Sequence, residues 1–410
     1  MPRYGPKGNV NLTPIKRDGQ ITVTLTIVGQ AFNGLCFGAI ALFLPLIRED
    51  LNISFEQAGM LSAATTLTYA LGQIPAGYLS DRFGPKRLFS IGMLGFSVIS
   101  VGFGLAGSFE MALANQLASG VFRSLLFAPG LSLIASWFPP DRRATAMGLF
   151  VIGGFAGNIV LSLIGPLMSA HLGWRIPFIL FSVLAIGAAF TYFFFAREKP
   201  RTGPGQQVGM LDVFQMFRYP IMWVCAALQF IRFGVVTSFA FWLPSLLVSD
   251  RGFTLHEAGL VTAMAAALTG SANAFGGYAS DRMNNPPLVI GVSLAVLALT
   301  SMLLVVVQSV TLLVLVIAIN AIFLQFYFGP LFHVPVEVLG QRVAGMSAGF
   351  SNLFANIGAF TFAYALGVVK DRAGAFTLGF MGITIACLVG IGLTFVLAGM
   401  RKTALAGAAP

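Results

Sequence analysis

Apolar runs of about 20 residues recur along this chain, and a run of that length is what an α-helix needs to cross the hydrocarbon of a bilayer. Short polar or glycine- and proline-bearing breaks part them. Twelve such runs stand at residues 21–46, 57–80, 88–107, 110–138, 144–168, 175–196, 220–248, 256–280, 287–307, 311–336, 343–368 and 375–399. With 57% hydrophobic and 9% charged residues among 410, a water-soluble globule is excluded, because a body of this size needs a polar exterior. The expectation is an all-α membrane protein of twelve transmembrane helices, embedded in the lipid bilayer.

The net charge of +10 follows membrane topology and calls for no nucleic acid. Segments on one side hold Arg3, Lys7, Lys16, Arg17, Arg82, Lys86, Arg87, Arg142, Arg143, Arg197, Lys199, Arg201, Arg218, Arg282, Arg342, Arg401 and Lys402, which is 17 of the 24 basic residues. The other side holds Arg48, Arg175, Arg251, Lys370 and Arg372. The positive-inside rule then puts both termini in the cytoplasm. Compact loops and short termini point to a bacterial inner membrane. Residues 1–20 form a polar tail without a small-residue cleavage site, so no removable signal peptide is expected. Cys36, Cys225 and Cys387 lie inside predicted spans with no neighbour at metal-ligand spacing, and read as packing residues. No metal or cofactor is expected.

The chain repeats itself at an offset near 200. FEQAGMLSA at 55–63 answers LHEAGLVTA at 255–263, Pro45 in FLPLI answers Pro244 in WLPSL, and GYLSDR at 77–82 answers GYASDR at 277–282. Asn158 and Asn356, each followed by Ile, hold like positions in the fifth and eleventh runs. An offset kept through several elements implies two pseudo-symmetric six-helix bundles, residues 21–196 and 220–399, with a solute site between them. Residues 197–219 read as the linker and 400–410 as a tail.

GYLSDRFGPKR, residues 77–87, resembles the signature loop between the second and third helices of the major facilitator superfamily. With the duplicate and the twelve runs, the resemblance covers essentially the whole chain. It implies a secondary transporter acting as a monomer, with Gly77, Asp81, Arg82, Gly84 and Arg87 gating the inner face. The second copy keeps Asp281 and Arg282 but continues Met-Asn-Asn-Pro-Pro, which puts an equal gating role for it in doubt. The segment from Arg123 to Trp174, with WFPPDRR and GWR, is similar to anion-carrying members: anion:cation symporters and carriers of nitrate or organic acids.

Two charges fall near the middle of predicted spans, Arg123 in the fourth and Arg232 in the seventh. Each costs roughly 2.5 to 3.5 kcal/mol at the bilayer centre on insertion scales, so both must face protein or water. Gln116, Ser119, Gly120, Phe127 and Gly130 form a polar and small stripe on the helix of Arg123, and Gln229, Val236 and Phe239 flank Arg232. Both faces read as cavity-lining. The first, fourth, seventh and tenth helices surround the central path in the family, so the resemblance aims both arginines into it. No Asp or Glu occupies the middle of a span. Two planar, paired donors without a protein counter-ion make a receptor for a small anion. The bland readings stay open: bonding to freed carbonyls, or snorkelling to an interface. Gln30, Asn33, Tyr69, Asn158, Gln325, Tyr327, Asn352 and Asn356 are further lining candidates, each equally able to bridge helices. Gly329 and Pro330 mark a place to bend.

For proton coupling the spans offer His333, with Glu337 one turn below. Anion exchange, co-transport of the acid with its own proton, and symport through His333 or Glu337 all remain open. The first expectation is a mono- or dicarboxylate. The rival within transport is drug/proton antiport, disfavoured because central arginines repel cations; a neutral-solute carrier follows if the arginines are structural. A transporter-like receptor belongs to another class. No nucleophile–base pair or phosphate loop suggests an enzyme.

Overall fold

A computed structural model describes residues 17–138, 143–199, 216–340 and 344–407, apart from the side chains of Ile74, Asp81, 143–146, Asn273, Ala274, Asp281 and 344–346 and the surroundings of Gly277. Thirteen helices run along the described residues: α1 Arg17–Leu51, α2 Phe55–Phe83, α3 Pro85–Gly104, α4 Phe109–Trp137, α5 Arg143–Leu172, α6 Arg175–Phe195, α7 Pro220–Arg251, α8 Leu255–Met283, α9 Pro286–Val306, α10 Val310–Phe326, α11 Phe328–Leu339, α12 Ala344–Ala373 and α13 Thr377–Gly407. They correspond to the twelve expected spans, with two corrections. The tenth span is two helices, broken at Tyr327 (φ −102°, ψ 12°). The break lies ahead of the expected Gly329–Pro330 bend because a proline ring excludes the carbonyl four residues earlier, here that of Phe326. A second correction concerns the ends: α1 reaches Leu51 and α13 continues through residues expected to form a tail.

Local chemistry explains the repeat at 55 and 255. Ser54 Oγ accepts the Gln57 N–H while Gln57 Oε1 accepts the Ser54 N–H, and Thr254 with Glu257 does the same at the start of α8. SFEQ at 54–57 and TLHE at 254–257 are therefore capping boxes, which satisfy two of the free N–H groups at a helix start. A second repeated device lies just before them. Asp50 accepts the Trp174 indole N–H at 3.1 Å and pairs with Arg175, which ties the α5–α6 turn to the end of α1. Asp250 accepts the Phe376 N–H at 3.0 Å and pairs with Lys370, which ties the α12–α13 turn to the end of α7.

Packing keeps the same symmetry. Helix α1 lies on α5 and α6, α2 on α4, and α3 on α4 and α6; α7 lies on α12 and α13, α8 on α10, and α9 on α10 and α13. Among the described residues ten spans are long and apolar enough to cross a membrane on their own terms, counting α10 and α11 as one. Helices α2 and α8 fall short because alanine, glycine, serine and threonine replace leucine along them. Their place in the fold accounts for this: α2 packs on α12 and α8 on α5, across the seam between the halves. Small residues let helix backbones approach closely where lipid gives no hydrophobic drive. A Cβ on Gly259 would stand 2.4 Å from the Ser162 carbonyl oxygen, and one on Gly59 would stand 3.0 Å from that of Ala363. Large apolar side chains turn outward instead, with Phe395 75% and Phe194 65% exposed, as a surface solvated by lipid requires.

The seam is closed at one end. Both Asp371 oxygens accept backbone N–H groups at the start of α2, from Phe55 at 2.9 Å and Glu56 at 2.5 Å, where the helix dipole favours negative charge. The Tyr364 hydroxyl donates to Glu56 at 2.8 Å, and the Arg48 guanidinium lies 3.2 Å from the centre of the Phe55 ring. Toward the other end α2 and α8 present Leu71, Tyr78, Phe275 and Tyr278, each exposed by 57% or more. We expect Asp371→Ala to loosen the closed end, so spin labels at positions 52 and 373 should gain a longer-distance population by pulsed electron paramagnetic resonance. Gly259→Leu should do the same for labels at positions 173 and 254, since its side chain has no room against α5.

Candidate functional site

Helices α1, α2 and α4 hold Arg123. Its guanidinium carbon lies 3.5 Å from the centre of the Phe37 ring on α1 and 5.0 Å from that of Tyr69 on α2. A cation over aromatic faces gains about 0.5 to 2 kcal/mol, yet the rings accept no hydrogen bond in the guanidinium plane. The donors stay available, and Nε is buried without a partner. Asn33 stands one turn before Phe37 on the same face of α1. Its amide donates to Gln30 Oε1 at 3.3 Å, and its own Oδ1 is buried and unpartnered. Arg123 thus keeps free donors, and the α1 face that meets it carries a free acceptor one turn away.

Arg232 is held differently. It is 3% exposed, and Nε donates to Gln229 Oε1 at 2.7 Å while Nη1 donates to Gln325 Oε1 at 3.1 Å. Phe328, at the start of α11, lies with its ring centre 4.9 Å from the guanidinium carbon. Tyr327, the residue between the two helices, is fully buried. The break between α10 and α11 therefore brings Gln325 and Phe328 to one arginine, with Tyr327 between them in the chain. Neutral amides satisfy donors without cancelling charge. Among the described residues neither Arg123 nor Arg232 pairs with a carboxylate, the ion pairs formed being Asp50–Arg175, Asp250–Lys370 and Glu337–Arg401.

Some residues singled out from the sequence serve packing. Gln116 accepts the Thr65 hydroxyl, and a Cβ on Gly120 would meet Thr68 and Thr65, so that part of the stripe faces α2 and not a cavity. Gly130 abuts Phe150 and Phe89, and Phe239 is buried against Phe380. The stripes were misread because helical periodicity identifies an unexposed face without saying what covers it. Asn158 donates to the Gly154 carbonyl and fills the space beside Gly38. Asn356 donates to the Asn352 carbonyl at 2.8 Å with its Oδ1 buried and unpartnered. Phe328 belongs to the aromatic run FLQFYFGPLFH, which reads as a wall of the path, whereas Phe37 carries no signal in the sequence beyond sharing a helix face with Asn33.

His333 is exposed. Glu337 accepts from Arg401 Nε and Nη2, both at 2.7 Å, an ion pair that binds α11 to α13. In the signature loop Gly84 has φ +91°, a region that glycine enters at least cost. Asn284, at φ 50°, ends α8 in the duplicate, and asparagine tolerates the left-handed region better than most residues. The altered motif thus keeps a positive φ at this position, though the turns differ, with ψ 140° at Gly84 and 26° at Asn284. Arg82 stacks on Phe83, Arg282 donates to Tyr278, and Gly77 faces open space. Arg87 is exposed. The side chains of Asp81 and Asp281 and the surroundings of Gly277 lie outside the described residues.

Comparison with known proteins places this arrangement. The model of the Major Facilitator Superfamily matches residues 26–363. The hexuronate transporter of Bacillus subtilis is 24% identical over 393 residues, 89% of this chain and 91% of that protein. A probable nitrate/nitrite antiporter of Thermus thermophilus is 32% identical over 275 residues, 64% of this chain and 60% of that one. In fold, the chain matches the crystal structure of a bacterial homologue of the human lysosomal transporter Spinster, inward-facing and unoccupied, with a TM-score of 0.75, 20% identity and coverage of 95% and 97%.

Proposed function

Because the chain belongs to the major facilitator superfamily, we propose that it carries a small organic anion, a mono- or dicarboxylate, by alternating access between its two halves. The observation that carries this reading is the pair of guanidiniums, one from each half, that pair with no carboxylate among the described residues. Arg123 offers a planar fork held flat by aromatic rings, which suits the two oxygens of a carboxylate. Tyr69 and Gln325, which meet the two arginines, serve as orienting groups, and Asn33 and Asn356 are assigned to the same path.

Sidedness follows from charge. The open end of the seam carries the loop with Arg82, Lys86 and Arg87, and basic loops stay in the cytoplasm. The arrangement is then open to the cytoplasm, in a bacterial inner membrane, with Asp371 and Tyr364 sealing the outer face. The signature residues Arg82 and Arg282 contact their own helices here. Their gating role belongs to the opposite state, in which the inner ends meet.

Anion exchange and co-transport of the acid with its own proton fit best, because Glu337 is already engaged by Arg401; His333 is left as the titratable group for a proton symport. Two positive charges in the path repel cationic drugs, which disfavours the efflux reading. In proteoliposomes, uptake of a labelled carboxylate should rise when unlabelled carboxylate is loaded on the far side. Absence of such exchange together with pH-insensitive uptake would contradict both favoured mechanisms. Arg123→Lys keeps the charge and loses the fork, so carboxylates should stabilise the purified variant less in thermal melts, with affinity about tenfold weaker. Unchanged affinity and uptake would remove Arg123 from the site.

A further inference from the structure

Arg123 and Arg232 bring two positive charges into the spans, and a single carboxylate neutralises one of them. The remaining charge asks for something more specific than a small anion. The surroundings of Arg232 say what. Gln229 is fully buried, and its Oε1 is committed to Arg232 Nε at 2.7 Å, so the group it has to offer is the amide NH₂, which has no partner. Tyr327 is fully buried as well, and its hydroxyl also has no partner. Gln229 lies one turn before Arg232 on α7 and bonds it, and Tyr327 sits in the break that Pro330 imposes between α10 and α11, between Gln325 and Phe328, which both meet Arg232.

The result is a set made almost wholly of donors: guanidinium, amide NH₂ and phenolic O–H. Unmade buried donors are costly, and the group that satisfies several of them at once is acceptor-only, which describes an ionised acid oxygen. A substrate hydroxyl would accept one such bond and leave the charge of Arg232 uncompensated. The corner around Arg123 differs, because the unpartnered Asn33 Oδ1 there is an acceptor.

We propose that Gln229, Arg232 and Tyr327 form a second oxyanion subsite, so that the solute is a dianion with one acid group at Arg123 and the other at Arg232. This rests on the anion reading above and narrows it. Charge balance is the physical reason: a dianion makes the loaded site neutral, whereas a monoanion leaves it cationic in a low-dielectric interior.

The test uses the full chain in proteoliposomes at neutral pH. Straight-chain acids matched in length compete for uptake and for thermal stabilisation: succinate against butyrate, glutarate against valerate, adipate against hexanoate. The best dicarboxylate should surpass its partner by about tenfold or more. Gln229→Glu, nearly isosteric, sets a carboxylate beside Arg232 and should turn the preference toward monocarboxylates. Tyr327→Phe removes one donor and should lower the dicarboxylate-to-monocarboxylate ratio severalfold, and it serves alone if the first variant fails to fold. Monocarboxylates that bind as well as dicarboxylates would overturn the proposal and leave the anion reading standing, as would an unchanged ratio in either folded variant. Binding of neither series would overturn both.

Discussion

Two guanidiniums inside a membrane protein, with no carboxylate to share among the described residues, constrain everything around them. Hydrocarbon does not tolerate a bare cation, so each arginine must be held by groups that lower its energy without cancelling its charge. The two halves solve this by different means. Phe37 and Tyr69 present π-faces to Arg123, which leaves its in-plane donors open, while Gln229 and Gln325 occupy two donors of Arg232 directly. A carboxylate at either place would make a stable structural ion pair, as Arg401 makes with Glu337 at the membrane edge. Among the described residues the acids lie at edges and turns, and under the proposed function the interior is a receptor for an incoming negative charge.

That arrangement is useful only if the halves move relative to each other, and the seam is built for it. One extended apolar core runs through both halves; at the seam itself, α2 meets α12 and α8 meets α5 along small residues. Contacts of this kind are close but shallow. At the closed end the attachments are polar and local: Asp371 on the start of α2, and Tyr364 on Glu56. Such bonds exchange readily for water when they part, whereas a buried apolar seam would resist. The Asp50 and Asp250 ties act within their own halves and so keep each half rigid while the seam opens.

Much of this was legible in the chain. The spans, the duplication and the two misplaced arginines are matters of composition and spacing, and the fold bears out the first two. The repeated S/T-x-x-E/Q pattern could have been recognised as capping boxes from residues 54–57 and 254–257 alone. Less could be said of faces. Gln116 and Gly120 share a helical stripe with Arg123, yet they meet α2, because a polar or small residue on a buried face serves close packing as readily as it lines a path. Glu337 looked free in sequence, since its partner Arg401 lies 64 residues away on a helix that was expected to have ended.

The sequence by itself determined that lipid is the solvent, that six helices are followed by six more of the same plan, and that the interior carries positive charge without acid. These follow from free energies of transfer and from pairings of neighbours along one helix, which depend on residue type and spacing alone. Tertiary structure decided which groups surround each arginine, where the tenth span breaks, and which end of the seam is shut. Those outcomes depend on contacts between residues distant in the chain, such as Phe37 with Arg123 or Asp371 with Phe55, and many alternative pairings have the same composition and spacing until the helices pack.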